Sequence, residues 1–269
     1  MLAAAAWNET NWRAPRYPRG CGILAPAHSA PANLNRSMPY VIAPPAIVSL
    51  PVVGRADRFP VRRVYCVGRN YVEHAQEMGF SGREAPFFFM KPADAVLPCA
   101  PGETVEMAYP TATTNLHHEV ELVVAIAGPG GRDIAPERAH EHVFGYAVGL
   151  DMTRRDRQGE AKKQGRPWEI GKAFDGSAPI GAIVPAAQCG ELLDGPIELR
   201  VNDRVAQSSD IAKMIWGVRD IIAHLSAAWA LSPGDLIMTG TPEGVGAVAA
   251  GDVLLARCAM LPELTVRVR

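Results

Sequence analysis

From residue 61 onward the chain alternates short apolar runs with turns rich in glycine and proline. The runs "RVYCVG", "PFFFM", "VELVVAIAG", "FGYAVGLDM", "IELRVN" and "DLIMTG" predict strands. Helical periodicity is the minority pattern. "NYVEHAQEMG" predicts a short helix stopped by glycine, "DIAKMIWGVRDIIAHLSAAWA" a longer amphipathic helix, and "APERAHEHV" a connecting helical turn. Strands and helices do not alternate as a doubly wound parallel sheet requires, so the pattern predicts a β-rich α+β fold.

One predicted strand is unusual. "HHEVELVVAIAG" is apolar from Val120 to Ile126 apart from Glu121, with Glu119 two residues earlier. Successive strand side chains point to opposite faces, so the two glutamates share a face. They can lie on a solvated face with Val120 and Leu122 toward the core. If buried, two like charges need a positive partner, and carboxylate oxygens suit a hard divalent cation. The strand "FGYAVGLDM" ends at Asp151, which supplies a third carboxylate for an oxygen site of the magnesium type, or alternatively a helix cap.

Composition narrows the partners. The 269 residues are 48% hydrophobic with a formal net charge of -1, enough for a sizeable core and with no bulk charge to attract nucleic acid or an anionic membrane. Five scattered cysteines, Cys21, Cys66, Cys99, Cys189 and Cys258, lack metal-ligand spacing and read as thiols of a reducing cytoplasm. No apolar run is long enough to span a bilayer, and "MLAAAAW" lacks the features of a secretory signal. Residues 1–37 mix Pro, Ala, Asn and Arg without period and read as a disordered extension, with Met38 as the natural start. Residues 38–60 then form an N-terminal arm and 61–269 the catalytic domain. "TGTPEGVGAVAAGD" is glycine-rich but lacks the lysine of a phosphate loop, so nucleotide binding is not expected.

Other residues can complete a reactive site. Lys172, in "GKAFDGSAPIG", can bind a carboxylate or stabilise an enolate beside a cation, with Arg155 and Gln158 as further donors. Most of the basic run Arg154, Arg155, Arg157, Lys162 and Lys163 reads as a solvated face. His74 and Glu77, three apart on the predicted short helix, share a face and can act as a general base with its orienting carboxylate.

The blocks "YCVGRNYVEHAQEMG", "PFFFMKPADAV", "HHEVELVVAIAG", "GYAVGLDMTRRDRQ", "KKQGRPWEIGKAFDGSAPIG", "VNDRVAQSSD" and "LSPGDLIMTGTPEGVG" resemble, in order, the fumarylacetoacetate hydrolase family, over about Val61 to Asp252. The "GRNY" block and short arm look most like its fumarylpyruvate hydrolase and acylpyruvase branch. The resemblance implies a mixed β-roll, a homodimer, and Mg²⁺ or Mn²⁺ held by Glu119, Glu121 and Asp151. It implies His74 and Glu77 as the water-activating dyad on a lid and Lys172 as catalytic. Arg69, Tyr71, Arg155, Gln158 and Thr241 are implied on the substrate, and His117 and His118 are left as flanking residues. The implied activity is hydrolysis of a carbon–carbon bond in a small 2,4-dioxo acid, fumarylpyruvate giving fumarate and pyruvate, in aromatic compound catabolism. Oxaloacetate decarboxylation, isomerisation of an unsaturated dioxo acid, and a non-catalytic metal-binding role are the alternatives.

Overall fold

The computed structural model of the chain describes residues 40–72 and 85–269. Residues 46–269 form one unit, and residues 40–45 are exposed without helix or strand. Eight strands of the main sheet among the described residues are β1 (Arg63–Gly68), β2 (Phe87–Lys91), β3 (Val96–Pro98), β4 (Val120–Ile126), β5 (Val143–Leu150), β6 (Ala178–Ile180), β7 (Val184–Pro185) and β8 (Asp235–Met238). Their order is β2-β1-β8-β4-β5-β6-β3, with β7 also on β5. The pairs β1–β8 and β3–β6 are parallel and the others antiparallel, so the sheet is mixed.

Period-two alternation divides the side chains of this sheet between two cores. Tyr65, Val67, Val120, Leu122, Val124, Ile126, Val148 and Leu150 belong to one cluster. They share it with Leu199, Leu254, Ala256, Leu264 and Val266 of a five-stranded second sheet and with Ile221, Ile222 and Leu225 of the helix Val218–Ala228. The alternate positions Val64, Cys66, Val123, Ala125, Ala147, Leu236 and Met238 pack with Leu50, Val52, Phe59, Ile180 and Ile183. Central strands covered on both faces read as nearly continuous apolar runs, which is why "VELVVAI" shows so little alternation. The result is a β-rich α+β fold, a mixed β-roll, with few helices.

The expected long helix over "DIAKMIWGVRDIIAHLSAAWA" is interrupted. Asp210 caps a single 3-10 turn, Ile211–Lys213, and the helix restarts only at Val218 after Gly217. Asn70 explains the break: its carbonyl accepts from Ile215 N and its side-chain oxygen from Trp216 N at 2.8 Å, holding the intervening chain extended. "APERAHEHV" forms a 3-10 turn over Pro136–His142. The predicted helix "NYVEHAQEMG" falls largely within 73–84, outside the described residues. No helix among the described residues is long and apolar enough to cross a membrane.

Leu122 is fully buried at the centre of β4, facing the second sheet. Leu122→Ala is expected to cost about 2–5 kcal/mol, seen as a lower urea midpoint at unchanged slope. A loss below about 1 kcal/mol would contradict this packing.

Candidate metal centre and substrate pocket

The same alternation assembles the chemistry. Glu121 shares its face of β4 with Val123 and Ala125, and Glu119 extends that face by one step. Gly149 on β5 stands opposite Glu121, and Asp151 follows two residues later with its N–H on the Glu119 carbonyl at 2.8 Å. One carboxylate oxygen from each of Glu119, Glu121 and Asp151 lies within 4.8 Å of the others. All three residues are buried, at 6%, 2% and 1% exposure, so the solvated alternative for the Glu119 and Glu121 pair does not hold.

The carboxylates are not equally compensated. The Lys172 ammonium donates to Glu119 Oε2 and Asp151 Oδ2, both at 2.7 Å, and Arg155 donates to Glu119 Oε1 at 2.5 Å. Lys91, fully buried, places its ammonium 2.8 Å from Asp151 Oδ1 and donates to the carbonyls of Met152 and Lys172. Glu121 accepts a hydrogen bond from Gly240 N at 2.8 Å and forms no ion pair among the described residues. Burial, then the negative charges of Asp151 and Glu119, raise the Glu121 pKa well above the ordinary carboxylate value. For Lys172, burial lowers the pKa, but Asp151 and Glu119 outweigh it and the net shift is upward. The donor set is all oxygen, converging and short of positive charge at Glu121, and it fits a hard divalent cation.

Two short helices close the site. In α1 (Arg155–Lys163), Arg155, Gln158 and Lys162 fall at positions i, i+3 and i+7 of one face. α2 (Glu169–Lys172) packs on α1 and ends at Lys172. Arg69, Arg155, Gln158, Lys172 and Thr241 line one cavity with Glu119 and Glu121. Arg69 sits there at φ 60, in the left-handed region a non-glycine residue adopts at a cost of about 1–2 kcal/mol. Gly240 has φ +97, and a Cβ there would lie 2.7 Å from Asn70 Cβ, so glycine is what lets its N–H reach Glu121.

Tyr71 does not line that cavity. It is fully buried and bridged to Met214, its hydroxyl has no hydrogen-bond partner among the described residues, and burial raises its pKa. His74 and Glu77 lie outside the described residues. The basic run is also less solvated than its composition suggests. Arg154 stacks on Phe174 at 4.4 Å and Lys162 on Trp168 at 4.8 Å, leaving Lys163 as its exposed member.

Sequence reasoning passed over four residues. Lys91 alternates with Phe87 and Phe89 on β2, a period-two signal that places it on the site face. His117 donates from Nε2 to Asn115 Oδ1 at 2.9 Å and accepts the Arg155 Nε–H at 3.3 Å. Burial and then Arg155 depress its pKa to about 4, so a neutral ring orients the guanidinium. Gln207 Oε1 accepts from Val120 N and faces His118 Nδ1, both at 3.0 Å, while its Nε2 donates to Thr241 Oγ1 at 2.8 Å. That bond uses a Thr241 lone pair and leaves the hydroxyl hydrogen available to the cavity. His118 and Gln207 lie far apart in sequence, so no local pattern links them.

The model for the fumarylacetoacetate (FAA) hydrolase C-terminal family matches residues 63–269. A fumarylpyruvate hydrolase of Ralstonia sp. is 48% identical over 185 residues, covering 69% of this chain and 93% of the relative. An oxaloacetate tautomerase of Escherichia coli (strain K12) is 41% identical, covering 73% and 88%. The crystal structure of fumarylpyruvate hydrolase from Pseudomonas aeruginosa, in complex with Mn²⁺ and pyruvate, superposes with TM-score 0.84 at 57% identity. It covers 86% of this chain and 99% of that one.

Glu121 gives a pH signature. Its pKa is raised on folding, so its contribution to stability without metal is present below the unfolded value near 4.3 and is lost as pH rises toward the folded value. A bound cation requires the ionised form, so binding is favoured by rising pH over the same window. Adding Mn²⁺ or Mg²⁺ at about 100 times its Kd is expected to stabilise the protein by about 2.7 kcal/mol, several degrees of melting temperature. At one fixed cation concentration the increment should be larger at pH 8 than at pH 5.5 in a thermal-shift titration, because Kd falls as Glu121 ionises. No increment at either pH would contradict the site.

Proposed function

Because the chain belongs to the fumarylacetoacetate hydrolase family, we propose that it hydrolyses the carbon–carbon bond of a 2,4-dioxo acid, converting fumarylpyruvate to fumarate and pyruvate. The observation that supports this most is the buried set of Glu119, Glu121 and Asp151 around Lys172, in a chain 57% identical to the relative whose structure holds Mn²⁺ and pyruvate. Mg²⁺ or Mn²⁺ as the resident cation, a homodimer in the cytoplasm, and a place in aromatic compound catabolism belong to the same proposal and rest on family membership.

Glu119, Glu121 and Asp151 would hold a divalent cation, which would supply Lewis-acid polarisation of the oxo acid oxygens. Arg155 and Gln158, joined by a 2.6 Å hydrogen bond, present donors to the C1 carboxylate. Lys172 donates to Glu119 and Asp151, which leaves one of its three hydrogens for the C2 oxygen of the substrate. His74, with Glu77 favouring its charged form, takes a proton from water, which attacks the C4 carbonyl. The C3–C4 bond then breaks with its electron pair passing to the pyruvate enolate, whose charge Lys172 stabilises. Protonation at C3 by the His74 imidazolium returns the base and completes fumarate and pyruvate. The arm at 38–60 and the domain at 61–269 remain the proposed division of the chain.

The tautomerase relative favours a second reading, in which the same oxo acid site acts on oxaloacetate without a hydrolytic water. Following loss of dioxo acid absorbance separates the two. Metal-loaded protein is expected to release fumarate plus pyruvate from fumarylpyruvate, and EDTA to stop it. His74→Ala should lose about 10²–10⁴ of kcat while still binding pyruvate. Hydrolysis retained in that variant would remove His74 from the mechanism, and turnover of oxaloacetate alone would replace the hydrolase reading with the second.

A further inference from the structure

The cavity at the carboxylates continues outward. A second hollow, lined by Phe87, Phe89, Trp168, Arg69, Phe88 and Pro167 with Glu169 at its rim, shares the first four of these with the inner cavity. Phe87 meets Trp168 edge-on at 5.1 Å and 86°, and Phe89 meets it at 5.6 Å. These rings give the passage flat apolar walls, suited to a planar unsaturated chain.

Lys162 lines the inner cavity beside Trp168, the ring through which that cavity joins this passage. Lys162 is half-buried, its ammonium lies 4.8 Å from the Trp168 ring centre, and no described carboxylate comes within ion-pair distance of it. Burial first, then the positive charges of Arg155 and Arg69, bring its pKa down to about 8. The inner cations differ: Lys172, Arg155 and Lys91 each hold Glu119 or Asp151. Lys162 therefore offers an incoming anion a positive charge that no described carboxylate pairs, beside Trp168 and the aromatic passage.

Spacing supports the same end of the substrate. Lys162 follows Arg155 by seven residues on one face of α1, about 10 Å along the helix. A seven-carbon dioxo acid with a carboxylate at each end spans roughly 7–8 Å between terminal carbons. Charge-assisted contacts of about 2.8 Å at each end bring the span to roughly 13 Å, longer than the helix rise of about 10 Å between the two backbone positions, so the two side chains must lean apart to hold both carboxylates.

We propose that Lys162 binds the distal carboxylate of the acyl chain, so that the enzyme selects 2,4-dioxo acids whose acyl group itself ends in a carboxylate. The proposal rests on the hydrolase reading above for its reaction, and on the aromatic passage and the α1 face for its geometry. Lys162 touches the substrate's far end and sets specificity; it takes no part in bond breaking.

The test compares fumarylpyruvate with acetylpyruvate, which lacks the distal carboxylate, in the metal-loaded wild type, Lys162→Gln and Lys162→Arg. The ratio of kcat/KM for the two substrates is expected to fall at least about tenfold in Lys162→Gln, mainly through KM, and to be largely kept in Lys162→Arg. Because each variant is its own control, partial misfolding does not move the ratio. A ratio within about twofold of wild type in Lys162→Gln would overturn the assignment. Calorimetry with fumarate and crotonate, which differ only in that carboxylate, gives a readout without turnover. Wild type should prefer fumarate by about tenfold and Lys162→Gln should lose that preference, whereas no preference in wild type would overturn the proposal. Wild type that hydrolyses neither dioxo acid would defeat the hydrolase reading, and the calorimetry then decides the Lys162 assignment alone.

Discussion

Three carboxylates buried within reach of one another are the constraint on which the rest of the structure depends. Taking an ion out of water costs several kcal/mol even after relaxation, and like charges add to it. Among the described residues Lys172 and Arg155 pair with Glu119, and Lys172 and Lys91 with Asp151. Among the described residues Glu121 accepts from a backbone N–H, that of Gly240, and forms no ion pair. That asymmetry is costly in a folded chain and sensible in a metal centre, because it leaves the charge deficit where a divalent cation bonds to all three.

The division of the central sheet into two faces makes this tolerable. One face of β4, from Val120 to Ile126, is spent on packing against the second sheet and the helix Val218–Ala228. The alternate face carries Glu121 toward the site and Val123 and Ala125 into the other cluster. β2 repeats the arrangement, with Phe88 and Met90 toward the first core and Phe87, Phe89 and Lys91 on the site side. A one-residue slip in either strand would exchange the two sets, so the apolar core fixes the register of the chemistry. The helices α1 and α2 then bring cations over a cluster the strands have already formed.

Much of this was legible in the chain. The run "RVYCVG" is β1 residue for residue, and the shared face of Glu119 and Glu121 follows from a period of two. Asp151 was readable as the polar end of an apolar strand. What local pattern could not carry was tertiary: that the face opposite Val120 and Leu122 is covered too, and that Asn70 holds the chain before Val218 extended. Gln207 reaches Val120 and Thr241 across distant segments. Lys162 looked like one charge in a basic run because Trp168, which gives it a surface to lie on, belongs to a later turn. Lys91 is different, since its alternation with Phe87 and Phe89 was open to reading.

The central claim is that Glu119, Glu121 and Asp151 share one divalent cation. The most direct measurement is anomalous diffraction from crystals grown with Mn²⁺. The account predicts a single strong peak bonded to one oxygen of each of the three residues, at about 2.0–2.6 Å as for hard cations on oxygen. A crystal saturated with Mn²⁺ that shows no peak there, or a peak that leaves out Glu121, would contradict it.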